Sequence, residues 1–151
     1  MIKTITDIAY LEDVALVTIN NIPNTPQCLA TILNEISDRH ITVDMICKTA
    51  PYKEKVNLSF TVPQESLGEV IGATAAFKAL SGEISTDVNS NNTKLILAGE
   101  GMRSTYGVAA ELFQILSDAD ISIKLITTGE TEISCLLDIK DIDKVKELLK
   151  D

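Results

Sequence analysis

Two loops hold the residues of this chain best placed for ligand chemistry. One is Asn21-Ile22-Pro23-Asn24-Thr25-Pro26-Gln27-Cys28 and the other is Gly99-Glu100-Gly101-Met102-Arg103-Ser104-Thr105-Tyr106-Gly107. Each runs directly into an apolar stretch of helical period, so each presents a helix N-terminus with unpaired backbone N–H groups and a positive dipole end, which suits a carboxylate. An α-amino acid would also need an acceptor for its ammonium, which Asn24 Oδ1, Asp44 or a backbone carbonyl can supply. Ser104 stands at the entrance to the second helix. Capping alone explains such loops equally well at this point, because every helix end needs it. Phosphate-binding glycine motifs are absent: Ser104 holds the third glycine position of G-x-G-x-x-G, and no G-x-x-x-x-G-K-[ST] occurs.

Other chemistry is thinly represented. The single histidine, His40, lies beside Arg39 in an expected turn, too isolated for a nucleophile–base pair. Cys28, Cys47 and Cys135 are far apart, form no C-x-x-C pair, and sit in apolar runs, so all three are expected as small core residues and not as disulfides or zinc ligands. Asp138, Asp141 and Asp143 read as the solvated start of a helix, favoured by its dipole. No catalytic residue, metal or cofactor is expected. Thirteen Lys+Arg against 22 Asp+Glu give a net charge of −9, which argues against a nucleic-acid partner. No apolar run reaches the ~18 residues of a membrane span, and the first residues lack the apolar segment of a signal peptide, so the expected location is cytoplasmic.

The elements that must position these loops follow from hydrophobic period. Strands are expected at 14–19, 41–48 (Val43, Met45 and Cys47 on one side), 56–62, 83–88, 93–98, 121–127 and 131–138. Helices are expected from Pro26 to near Asp38-Arg39-His40, capped by Thr25, and at 67–80, 108–116 and 139–149. Asn89-Ser90-Asn91-Asn92 is the most turn-like stretch and marks a boundary. With 45% hydrophobic residues, 4% aromatic and no Trp, the core must come from Ile, Leu, Val and Ala.

The two halves repeat. ATILNEISDRHITVDMI (30–46) lies without a gap over AELFQILSDADISIKLI (110–126), across a helix, a Ser-Asp turn and a returning strand. The first half has four strands and the second only three, leaving the strand-like Ile2–Tyr10 to complete the second sheet. The expected architecture is therefore α+β: two ferredoxin-like βαββαβ units, each an antiparallel sheet with helices on one face. Residues 13–90 form the first unit, inserted in sequence within a second made of 1–12 and 91–151.

With these residues laid out, the chain resembles the tandem ACT regulatory region of aspartokinases. G-x-G-M-R-S-x-x-G-V-A-A (99–110) and I-x-I-x-x-I-T-T-G-E-T-E-I-S (121–134) are similar to the C-terminal ACT repeat. I-T-D-I-A-Y (5–10), V-D-M-I (43–46) and L-S-F-T-V-P (58–63) resemble the opening strand and the first repeat. The resemblance implies a regulatory part without kinase activity, since the kinase's K-F-G-G-like motif is absent. It implies sensing of lysine or threonine as a feedback effector in aspartate-family amino-acid biosynthesis, homodimers through ACT units, and an aspartokinase catalytic domain or subunit as partner. The effector contacts it implies fall on Asn24, Gln27, Cys28 and Leu29, on Asp44, Met45 and Lys48, and on Thr127, Thr128, Gly129 and Glu130. Four of these depart from the family pattern. Asn24 replaces an Asp, Gln27 a Gly, Lys48 a Gln and Gly129 a Ser, so an alternative remains: an ACT protein that only mediates dimerisation and binds no effector.

Overall fold

A computed structural model describes residues 2–150. It divides into two compact units, residues 13–90 and residues 2–12 with 91–150. Two long strands contribute to both: β1 (Asp7–Pro23) and β4 (Ser85–Ala98). Each carries a left-handed residue where it passes from one unit to the other, Asp13 (φ 55°) and Asn91 (φ 64°). Asp and Asn tolerate that conformation better than other non-glycine residues.

In the 13–90 unit the strands run in the order β2 (Ile46–Lys48), β3 (Lys55–Pro63), β1, β4. Helices α1 (Pro26–Asp38) and α2 (Leu67–Leu80) supply Ile32, Ile36, Val70, Ala73 and Phe77 to one core with Val17, Ile19, Leu58 and Phe60 from the strands. The ladder is antiparallel and aligns Val17 with Phe60 and Phe60 with Ile46, so these three point to the helix side. In the other unit the order is β1, β4, β6 (Glu132–Asp138), β5 (Ile123–Thr128). Leu95, Leu97, Ile133, Cys135 and Leu137 face Leu112 and Leu116 of α3 (Val108–Asp118) and Val145 and Leu149 of α4 (Ile142–Leu149). Each unit is thus an antiparallel sheet with helices on one face, as expected. Among the described residues no helix is long and apolar enough to cross a membrane.

The internal repeat reappears in how α1 and α3 end. His40 (φ 59°) and Asp120 (φ 57°) are left-handed, and each is followed by an isoleucine that returns to the core. Ile41 N–H donates to the Ile36 carbonyl (3.3 Å) and Ile121 N–H to Leu116 (2.9 Å), while His40 and Asp120 N–H reach Ser37 and Ser117. Both are Schellman ends, and both turn the chain into the edge strand. At the other end of α1, Thr25 Oγ1 accepts from Cys28 N–H at 3.2 Å with Pro26 in the first turn. Thr25→Ala should lower stability by about 1 kcal/mol in chemical denaturation.

Several expectations need correction. Asn89–Asn92 is no turn: β4 runs through it, and only Asn91 uses a left-handed backbone. The strand expected over 41–48 is regular only at Ile46–Lys48, although Asp44 N–H still bonds Thr61 O (3.1 Å). The N-terminal segment becomes strand only from Asp7, while Ile2 and Ile5 are core residues 2% and 7% exposed. The final helix begins with a 3-10 turn at Ile139–Asp141, closed by Asp138, whose side chain accepts from Lys140 N–H (3.0 Å). That bond, with Lys124 nearby, lowers the Asp138 pKa, so its contribution to stability is present near neutral pH and is lost as pH falls through its folded value. Cys135 is core as expected, and burial pushes its thiol up to about 12. Cys28 is half-buried, and Cys47 is exposed because β2 is a short edge strand.

Candidate functional site

The site residues expected from the sequence fall into two groups, one in each unit. In the 13–90 unit, Asn24 precedes α1, and Gln27, Cys28 and Leu29 occupy its first turn. Asn24 and Gln27 are exposed, whereas Cys28 and Leu29 lean on the core. Lys48, the last residue of β2, pairs with Leu58, which pairs with Ile19. Lys48 therefore points to the sheet face that α1 covers. Asp44 is exposed just before β2. Met45 does not join this group: it is 3% exposed, with its N–H on Thr61 Oγ1 (2.9 Å), on the face opposite Phe60.

The sequence marks Pro51–Glu54 as a polar turn and gives it no part in a site, yet this β2–β3 turn closes over the first loop. Tyr52 and Lys55 exchange backbone hydrogen bonds (2.9 and 3.0 Å) around Lys53 (φ 50°) and Glu54 (φ 64°). Two left-handed residues make a type I′ hairpin turn, built here without the usual Asn-Gly. Asn24 N–H donates to the Glu54 carbonyl at 3.0 Å, which ties turn to loop. Pro23, Asn24, Thr25, Lys53, Glu54 and Lys55 line a cleft of about 410 Å³. Its lining residues include two lysines, one glutamate and one asparagine. Lys55 Nζ also meets Glu83 Oε2 at 3.0 Å, an exposed pair of small energetic weight.

In the other unit the equivalent place is already occupied by the protein's own charges. Adding 80 to each number maps Asn24 to Ser104 and Lys48 to Thr128. Ser104 Oγ donates to Gly101 O (3.4 Å) within its own loop. Arg103 bridges Glu100 (3.2 Å) and Glu130, joining the 99–107 loop to the β5–β6 turn. Thr128 pairs with Ile133 and faces the core side, while Thr127 pairs with Ser134 on the opposite side. Gly129 N–H closes the turn on Glu132 O at 2.8 Å. The β5–β6 connection is short, 129–131 against 49–54 between β2 and β3, so it has no counterpart of Lys53–Lys55. A feature the sequence reading passed over is Arg103, part of a quoted motif but without an assigned partner.

Neither group offers a catalytic set. His40 is exposed in its helix-ending turn, and among the described residues no three His, Cys, Asp or Glu side chains gather as a metal site.

Comparison with known proteins matches the fold. The ACT domain family profile matches residues 95–151. The aspartokinase of Geobacillus stearothermophilus is 35% identical over 144 residues, covering 93% of this chain and 34% of that protein. The chain spans about a third of the length of the curated relatives it matches. Among solved structures, that of aspartokinase alpha and beta subunits superposes with a TM-score of 0.86 at 30% identity, covering 96% of this chain and 95% of that one. The ligand-free regulatory subunit of aspartate kinase from Thermus thermophilus superposes at 0.84 with 26% identity, covering 97% and 96%.

Proposed function

Taking as premise that this chain belongs to the tandem ACT-domain regulatory regions of aspartokinases, we propose that it senses an amino acid and that the first unit holds the effector. The observation that carries this is the cleft between the α1 entrance and the 52–55 turn. A free amino acid is a zwitterion. Lys53 and Lys55 match its carboxylate, and Glu54 with Asn24 Oδ1 matches its ammonium. Asn24 lines the cleft, and we assign Gln27, Cys28 and Leu29 in the first turn of α1, with Asp44 and Lys48 around β2, as its flanks. Met45 acts from behind, by holding β2 against Thr61. Ser104, Thr128, Gly129 and Glu130 form a second, internally neutralised position, with Thr127 behind it on the opposite sheet face.

Lysine and threonine are the effectors to test, with an aspartokinase catalytic domain or subunit as the partner that reads the result. Titration calorimetry on the whole chain should show saturable binding of one of them. At 100 times Kd that ligand should raise stability by about 2.7 kcal/mol. Glu54→Gln should weaken it tenfold or more, as expected for losing a charge-assisted hydrogen bond of about 1.5–3 kcal/mol. Unchanged affinity in that variant would move the effector elsewhere.

A second reading, dimerisation without an effector, is favoured by one feature. β2 is a short edge strand whose Ile46 is 45% exposed. Silence toward both amino acids, together with a concentration-independent dimer in light scattering, would select it.

A further inference from the structure

We propose a second binding site on the opposite flank of the 52–55 turn, for a small amphiphilic anion: one carboxylate or phosphate carried on a compact apolar body. The cleft there measures about 400 Å³ and is lined by Asn21, Thr49, Ala50, Tyr52, Lys53, Lys55, Val56 and Asn57. That volume lies at the small end of the roughly 300–1,000 Å³ typical of ligand pockets.

Its charge is one-signed. Lys53 and Lys55 are its only ionic residues at neutral pH, in a chain whose net charge is −9. Lys53 has no carboxylate partner among the described residues; its ammonium lies 5.4 Å from the Tyr52 ring centre. Lys55 is shared with the exposed Glu83 carboxylate, a pairing that an anion in the cleft can replace. The left-handed backbone at Lys53 and Glu54 costs on the order of 1 kcal/mol per residue and sets both lysines beside the opening.

The neutral polar groups are oriented. β1 breaks register between Ile19 and Ile22, with Asn21 left-handed (φ 61°) in the bulge. Asn21 N–H donates to Asn57 Oδ1 at 3.0 Å. A backbone donor on the oxygen fixes which end of the Asn57 amide is which, and leaves its NH2 as a donor without a partner among the described residues. Thr49 Oγ1 accepts from Asn57 N–H (2.9 Å), and Thr49 N–H donates to Asn57 O (2.9 Å), which locks the end of β2 to β3. Two ammonium groups and one amide donor thus border the cleft. Ala50 and the Tyr52 ring provide the apolar wall that selects an organic anion over a bare one, while the Val56 side chain is committed to the core beneath. The two clefts share Lys53 and Lys55, so one ligand affects the other, but they are told apart by Glu54 and Asn24, which line only the first, and by Asn57 and Tyr52, which line only the second.

The test is calorimetric titration of the whole chain with benzoate, phenyl phosphate and inorganic phosphate. At least one of the two aromatic anions should bind with one-to-one stoichiometry, and inorganic phosphate at least tenfold more weakly than phenyl phosphate. Asn57→Asp keeps the acceptor for Asn21 N–H but places a negative charge in the cleft, and should weaken binding tenfold or more. Tyr52→Ala, at an exposed position, should weaken it comparably without altering the melting temperature. Glu54→Gln, which removes a negative charge between the two lysines, should not weaken these anions while it reduces amino-acid binding, so the two sites fail separately. No binding of either aromatic anion, equal binding of inorganic and phenyl phosphate, or affinity unchanged in Asn57→Asp or Tyr52→Ala would overturn the proposal.

Discussion

Replacing Gly99 with alanine is expected to lower the melting temperature by about 10 °C, from a loss of about 3 kcal/mol typical of severe overpacking. The backbone at Gly99 is extended (φ 179°), so conformation is not the obstacle. Space is. A Cβ there would overlap the Thr4 carbonyl oxygen and lie 3.0 Å from its carbon and 3.3 Å from Ile5 Cα. None of these atoms belongs to a flexible side chain. Thr4 cannot move aside cheaply, because Ile2 and Ile5 on either side are buried and Thr6 N–H is bonded to Ala98 O at 2.9 Å. Gly99 cannot retreat either, since its own N–H is held by Thr131 O at 2.9 Å. Residues 2–6 must peel away, or the end of β4 must shift and carry Arg103 and its bridge to Glu130 with it. Gly129→Ala is the control: an added Cβ there meets nothing within 4 Å, and its melt should match the parent protein. A Gly99→Ala variant as stable as the parent would show that the N-terminal segment is not wedged against the loop.

Phe60→Ala should cost about 4 kcal/mol in urea denaturation, the range for deleting a fully buried aromatic side chain. Phe60 is fully buried, and its ring stands between Val17 on β1 and Ile46 on β2. The cavity would open beneath the strand that carries Lys48. Any amino-acid affinity measured in the first unit should therefore fall along with stability. A loss near 1 kcal/mol would mean that neighbouring side chains collapse into the space.

What the sequence revealed, and what it hid, follows physical lines. Amphipathic helices and buried strands were legible because Leu, Ile and Val recur with the period of the face they bury. The repeat was legible because both copies use the same device, a left-handed residue followed by an isoleucine, to end a helix and begin an edge strand. Asn89–Asn92 misled because turn-forming residues need only tolerate unusual backbone; here one of them uses that tolerance, and hydrogen bonding along β4 holds the rest extended. Cys47 misled because an apolar run on a three-residue edge strand has no second layer above it. The first loop and α1 entrance could be read from capping chemistry, but their neighbour could not. Lys53, Glu54 and Lys55 reach the site through a loop of irregular length, and loop length carries no periodic signal. The Arg103–Glu130 bridge was invisible for a related reason, since 27 residues separate two exposed side chains that only the folded sheet brings together.

The passage of β1 through both units bears on how the chain is made. Synthesis proceeds from the N-terminus at about 5–20 residues per second. The 13–90 unit can close as soon as its last residue emerges. The apolar side chains of Ile2, Ile5, Ile8 and Tyr10 belong to the other core, and the Thr6–Ala98 bond spans 92 residues. On a translating ribosome those side chains wait roughly 5–20 s for β4 to appear, and longer for α4. The nascent protein thus carries a folded unit preceded by an exposed, sticky segment. That segment is where a chaperone, or a neighbouring nascent copy, would first take hold.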